Sequence, residues 1–224
     1  MNNEVLKPTE QNPQGYGPKK PEIIDMAKKS KIFDLLPKSN SPIHSLLSKL
    51  YTEEYPKFRF IGKAYGDEDR VNGSFGYKWS VFFNENHAST ISKNIISEIT
   101  WEDSDSYVGL MRCRDSDPFI YAVGMFVPAD TIVPEGFIYY DFPVSTLGIC
   151  HLHGFDAELY GHEPDVAKQL ELAGYRIQDD NEGAIWFFER YVLSRYATPD
   201  EEGHQTLDIG FFVEPKDSVD SDNH

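Results

Sequence analysis

From Phe58 onward the apolar positions fall into short runs of two kinds, and their order is repeated. Phe58–Ala64 carries the dense β-prone pattern of a strand, and the loop after it holds Gly66, Gly73 and Gly76. Trp79 to Ile96 reads as a helix, with Trp79, Phe82 and Phe83 at its start and Ile91 and Ile95 further on. Tyr107–Arg112 and Phe119–Val127 then form a hairpin around Asp115–Pro118. The same order recurs. Phe137–Phe142 and Thr146–Leu152 read as one strand interrupted at Pro143, and Glu163–Ala173 as a helix stopped by Gly174. Ile185–Tyr196 and Leu207–Val213 close a second hairpin around Thr198–Gly203. Even the ends match: Gly124-Met-Phe-Val-Pro128 closes the first half and Gly210-Phe-Phe-Val-Glu-Pro215 the second. The fold class this predicts is α+β, two pseudo-symmetric βαββ modules sharing an antiparallel sheet with a ligand groove between them.

The flanks differ. Residues 1–21, with Pro8, Pro13, Gly15, Gly17, Pro18 and Pro21, read as a flexible arm. Residues 22–52 show helical spacing at Ile23, Ile24, Met26, Ile32, Phe33, Leu35 and Leu36. After Pro37 and Pro42 the spacing resumes at Ile43, Leu46, Leu47 and Leu50. Two short amphipathic helices are expected there, a helix-turn-helix DNA reader being the sharper alternative. The domain division is therefore 1–56, arm and helices; 57–215, the main domain; and 216–224, a disordered acidic tail.

Composition narrows the function. The net charge is −16. Residues 1–56 hold eight Lys against seven acidic groups, which places −17 on the remainder. Such a field repels phosphate backbones and anionic lipid, so neither nucleic acid nor membrane is an expected partner. Cys113 and Cys150 sit in apolar runs and read as buried thiols of a reducing cytoplasm, with no signal peptide or spanning segment. The 15 Phe, 13 Tyr and 3 Trp are a high share; such rings fill cores and also line pockets for flat or cationic ligands.

Several strings resemble the GyrI-like effector-binding domains, which also occur attached to AraC- and MerR-type multidrug regulators and in integron cassette-encoded binding proteins. They are Phe119-Ile-Tyr-Ala-Val-Gly124, Val133-Pro-Glu-Gly136 leading into Phe142-Pro143, Phe188-Glu-Arg-Tyr191 and Phe211-Phe-Val213. The resemblance covers roughly 57–215. It implies a carboxylate on the penultimate strand that meets cationic drugs amid aromatic rings, and the matching residue is Glu189. The chain departs from the regulators in showing no DNA-binding domain, which points to a stand-alone sensor, sponge or enzyme.

Strand alternation places Phe187, Glu189, Tyr191 and Leu193 on one face and Trp186, Phe188, Arg190 and Val192 on the other. A carboxylate among rings needs a cation, a donor or a proton. The candidate ligand-binding set is Glu189, Tyr191, Trp79, Tyr121 and Phe187. The bland alternatives are a Glu189 paired with Arg112, Arg114 or Arg190, and aromatic rings that only fill the core. His151 and His153 share a strand face and His162 follows, but the spacing supplies no third ligand, so neither metal nor cofactor is expected. No Gly-Lys-Ser/Thr phosphate loop and no Gly-x-Ser-x-Gly elbow occurs. The leading function is binding of a planar or cationic small molecule. The first alternative is a cofactor-free hydrolase of cyclopropane-bearing cytotoxins with Glu189 directing water, and the second a gyrase-inhibitor-like protein-interaction module. A homodimer is left open.

Overall fold

The computed structural model describes residues 38–39, 41–115 and 117–216. The arm of residues 1–21, the helix expected over 22–36 and the acidic tail beyond Lys216 lie outside the described residues.

A single helical turn, α1 (Ile43–Leu46), leads into strand β1 (Leu47–Tyr55). The helix expected to continue through Leu50 is therefore a strand. Leu46, Leu47 and Leu50 have helical spacing, but β1 is an edge strand that pairs antiparallel with β6, and only its last residue, Tyr55, is buried. An edge strand with one wet side has no strict two-residue alternation to betray it. Strand β2 (Phe58–Tyr65) follows, then α2 (Gly76–Asn84) and α3 (His87–Ser92). The single helix expected over Trp79–Ile96 breaks at Asn86, whose φ of 58° lies in the left-handed region that asparagine tolerates. The hairpin β3 (Ser106–Cys113) and β4 (Ile120–Pro128) forms as expected.

Strands β5 (Ile138–Phe142) and β6 (Ser145–Gly154) replace the interrupted strand. They do not lie end to end in one ladder. β5 pairs with β2, whereas β6 pairs with β1 and β9. Helix α4 (Glu163–Leu172) stops at Gly174, with φ of 93°, and the short β7 (Tyr175–Ile177) was not legible. The hairpin β8 (Ile185–Val192) and β9 (Gln205–Pro215) completes the chain.

The nine strands form one antiparallel sheet in the order β1-β6-β9-β8-β3-β4-β2-β5, with β7 also on β9. The sheet curls. Phe58 of β2 stacks 6.2 Å from Phe212 of β9, and Tyr140 of β5 meets Trp186 of β8 at 4.7 Å. Inside the curl Phe58, Phe60, Leu110, Leu147, Phe188 and their neighbours form one core. The helices cover the other face over a second core that includes Phe82, Ile91, Val166, Leu170, Phe187 and Phe211. Each fully buried large apolar side chain contributes about 1.5–3 kcal/mol. Cys113 and Cys150 are buried thiols, held protonated by burial up to about 11 and about 12. Among the described residues no helix is long and apolar enough to cross a membrane.

Candidate functional site

Strand β8 has the two faces that alternation predicts. Phe187 and Tyr191 belong to the helix-side core, Trp186 and Phe188 to the core inside the curl. Glu189 therefore points toward the helices. Its neighbour across the β3 ladder is Gly109, at the line where a strand from residues 58–128 pairs with one from residues 137–215. A Cβ on Gly109 would lie 2.5 Å from the Tyr121 hydroxyl and 3.3 Å from Glu189 Oε2. Glycine leaves room for that pair to meet above the sheet.

Glu189 is buried, at 6% exposure. Its Oε2 accepts from the Tyr121 hydroxyl at 3.1 Å and from the Tyr191 hydroxyl at 2.8 Å. Trp79 Nε1, from α2, donates to the Tyr121 hydroxyl at 2.9 Å. Phe75 stacks on Tyr121 at 4.4 Å, and the rings of Trp79 and Tyr191 meet edge-on at 4.6 Å. Burial and then the Glu189 charge hold the Tyr121 and Tyr191 hydroxyls well above their ordinary range, so both remain donors.

A second carboxyl closes the site from the other helix. Glu163, the first residue of α4, is 5% exposed and sits close enough to Glu189 for the two carboxyl groups to perturb each other. Two carboxyl groups in one buried site cannot both ionise readily, so a proton on one of them is favoured. Burial raises both, with Glu163 reaching about 8 through burial first and the Glu189 charge second. Burial thus favours a proton held on the pair at neutral pH. Glu163 Oε2 has no hydrogen-bond partner. Beside the pair, the Tyr160 hydroxyl lies 2.5 Å from the Tyr196 hydroxyl, which donates to Asp156 at 2.8 Å, while Tyr196 packs edge-on to Tyr191 at 4.7 Å.

Three solved structures are similar to this chain. SAV2435 bound to tetraphenylphosphonium is 10% identical over 74% of this chain and 94% of its own, with a TM-score of 0.50. The EcmrR C-terminal domain is 13% identical, with coverage of 75% and 98% and a TM-score of 0.48. An integron cassette protein from Vibrio cholerae is 12% identical, with coverage of 75% and 98% and a TM-score of 0.39. The chain shares its fold with SAV2435. No family model matches the sequence, and no curated protein matches it.

Within this fold, four of the five residues singled out in the sequence come together: Glu189, Tyr191, Tyr121 and Trp79. Phe187 shares their face of β8 but is fully buried, stacked 5.4 Å from Phe211. The arginine partners considered for Glu189 are engaged elsewhere. Arg112 pairs with Asp117, Asp180 and Glu182, Arg114 with Asp117, and Arg190 lies on the opposite face. Among the described residues no arginine or lysine pairs with Glu189 or Glu163. Sequence reasoning missed Glu163, Tyr160, Tyr196 and Gly109. An acidic residue at a helix start reads as a complement to the helix dipole, and nothing local marks it as buried. An open depression of about 510 Å³ lies to one side, where Phe83, Ala88, Ser92 and Tyr107 line it. Phe83, on its rim, lies 6.1 Å from the Trp79 ring.

Proposed function

We propose that the chain is a small-molecule-binding protein whose ligand is a flat or cationic compound, anchored by Glu189 beneath Trp79, Tyr121 and Tyr191. One observation carries this reading: a buried carboxylate faces the helices with only tyrosine hydroxyls and a second carboxyl to hold it. Such a group is costly to bury, and a ligand cation would supply the missing charge while the rings add cation–π attraction. SAV2435, of the same fold, is described with tetraphenylphosphonium bound. The strand order supports a pseudo-twofold pair of modules meeting over Glu189, since β6-β9-β8 and β2-β4-β3 follow one pattern and join at β8–β3. The domain division keeps 57–215 as this effector-binding unit, with β1 added to its sheet edge from the preceding segment. The charge of −16 supports a function without direct nucleic-acid binding.

The test is a thermal-shift titration with tetraphenylphosphonium. A ligand at a hundred times its Kd adds about 2.7 kcal/mol of stability, which is several degrees in Tm for a chain of this size. Glu189→Gln should weaken the cation by roughly tenfold to a hundredfold and spare neutral planar compounds. The variant should keep the wild-type Tm or exceed it, because the substitution removes a buried charge. Unchanged affinity in Glu189→Gln refutes the anchor. The carboxyl pair also favours a second reading, metal-free hydrolysis of a strained ring, since two buried carboxyl groups side by side can divide the roles of acid and base. Turnover of a cyclopropane-bearing compound, lost in Glu189→Gln at little cost in affinity, would select it.

A further inference from the structure

At the far end of the β6–β9 ladder three side chains converge that the proposed ligand site does not use. His153 leaves β6, His204 directly precedes β9, and Asp200 lies in the turn between β8 and β9. One nitrogen from each histidine and one oxygen of Asp200 lie within 4.8 Å of one another. Asp200 Oδ2 is the hub, 3.2 Å from His153 Nε2 and 3.9 Å from His204 Nδ1. Ligand atoms about 2.1 Å from one tetrahedral zinc ion stand about 3.4 Å apart, so this spacing is close to what a shared ion requires.

The supporting contacts aim these atoms. His153 Nδ1 meets Thr206 Oγ1 at 3.1 Å, which turns Nε2 toward the loop. Asp200 Oδ1 accepts the backbone N–H of Glu202 at 3.0 Å and of His204 at 2.8 Å, leaving Oδ2 for the histidines. The backbone bond from Asp200 N to His204 O at 2.9 Å and Gly203, with φ of 84°, fix the turn that brings residues 200 and 204 together. Phe155 packs edge-on to His204 at 4.5 Å and limits its swing. His151 and His162, the other histidines of this stretch, are turned elsewhere. His151 faces Tyr51 and Asp208, and His162 faces the Glu158 carbonyl and Asp165.

We infer that His153, Asp200 and His204 form a binding site for a divalent transition-metal ion of the zinc class, with a solvent-side position left for water. Two imidazoles and one carboxylate suit zinc, nickel or cobalt, and exclude the all-oxygen preference of magnesium and calcium. An ion there would pin the β8–β9 turn to β6.

The experiment is calorimetric titration of zinc chloride into the chelator-treated full chain at pH 7.5. One site per chain with a Kd tighter than about 100 μM is expected, unaffected by excess magnesium. His153→Ala and His204→Ala should each weaken binding by more than about tenfold, since even outer contacts of metal ligands are worth that much. Zinc should raise Tm in the wild type and leave it unmoved in the double variant. All three side chains are at least partly exposed, so the variants should fold. Their metal-free Tm checks this, and His153→Gln replaces any that fails. A Kd weaker than about 100 μM, or zinc binding that survives in the double variant, overturns the site.

Discussion

Glu189 and Arg190 are adjacent on β8, both buried, and their surroundings could hardly differ more. Arg190, on the inner face of the curled sheet, meets Asp208 at 2.8 Å, Glu53 at 2.9 Å and Asp103 at 3.2 Å, and donates to the hydroxyls of Tyr55 and Tyr51. Burial works against its charge, and Asp208, Tyr55 and Glu53 more than offset it. Arg195 joins the same network through Asp103 and Asp208. His151, kept neutral chiefly by burial, completes it against Tyr51 and Asp208. Every strong partner of Arg190 is already in place. Glu189 meets hydroxyls and another acid. A buried charge surrounded by its counter-ions is part of the architecture, whereas one left among weak donors and rings is poised for something that arrives later.

The largest effect should come from breaking the satisfied side. Arg190→Ala would leave Asp208, which is fully buried, and Glu53 facing each other without their common cation. A loss of about 3–5 kcal/mol is expected, read as a lower urea midpoint or as failure to accumulate folded protein. Glu189→Gln on the neighbouring residue should cost no stability. If the two variants destabilise alike, the contrast between the faces of β8 is wrong.

Glu163 gives the next largest effect, and its sign depends on pH. In the folded chain it binds its proton up to about pH 8, against an ordinary value of 4.5. Between these values the native state holds more protons than the unfolded state. The contribution is fully present below pH 4.5 and is lost as pH rises through 8, by up to a few kcal/mol. Glu163→Gln keeps a donor for Glu189 and removes the titration. It should match the wild type near pH 5 and exceed its Tm by several degrees at pH 8.5. A wild-type Tm that holds level over this range, with no gain in the variant, would show that the two carboxyl groups do not share a proton.

How much of this was legible depends on how local each signal was. The face of β8 that carries Glu189 follows from a two-residue period, and the repeated element order from the positions of Gly124 and Gly210 in matching endings. Trp79 and Tyr121 stood out as aromatics near the starts of their elements. The strand over Leu47–Tyr55 was hidden because its leucines fall at helical spacing and its partner, β6, lies about a hundred residues away. The same holds for Glu163: its surroundings come from Glu189 on β8, not from its own helix. Pro143 marked a real break, but not that the chain there crosses the curl from the β5 edge to β6.

A smaller effect is expected at Gly109. Its missing side chain is what the Tyr121 hydroxyl occupies, 2.5 Å from where a Cβ would stand. Gly109→Ala should keep the fold, because the obstructing atom is the end of a side chain that can swing away. Moving that hydroxyl off Glu189 removes one charge-assisted bond, so tetraphenylphosphonium affinity should change by roughly fivefold, about 1 kcal/mol. No change in affinity would mean that Tyr121 fills space and does not tune the carboxylate.

The smallest effect tests the outermost member of the relay. Trp79 Nε1 donates to Tyr121, which donates to Glu189, so the indole acts on the anion only through the phenol. Trp79→Phe retains an aromatic ring against Tyr191 and removes that one N–H. A neutral hydrogen bond of this kind contributes about 0.5–1.5 kcal/mol, and the smaller ring forfeits some contact besides. The urea midpoint should fall slightly with an unchanged slope, and ligand affinity should fall only a few-fold. The order of the two Tyr121 perturbations is the sharper measurement. Displacing the phenol in Gly109→Ala must weaken a cation more than loosening it in Trp79→Phe does, because only the first removes a donor from Glu189 itself. The reverse order would place Trp79 in direct contact with the ligand, as a wall of the site in its own right.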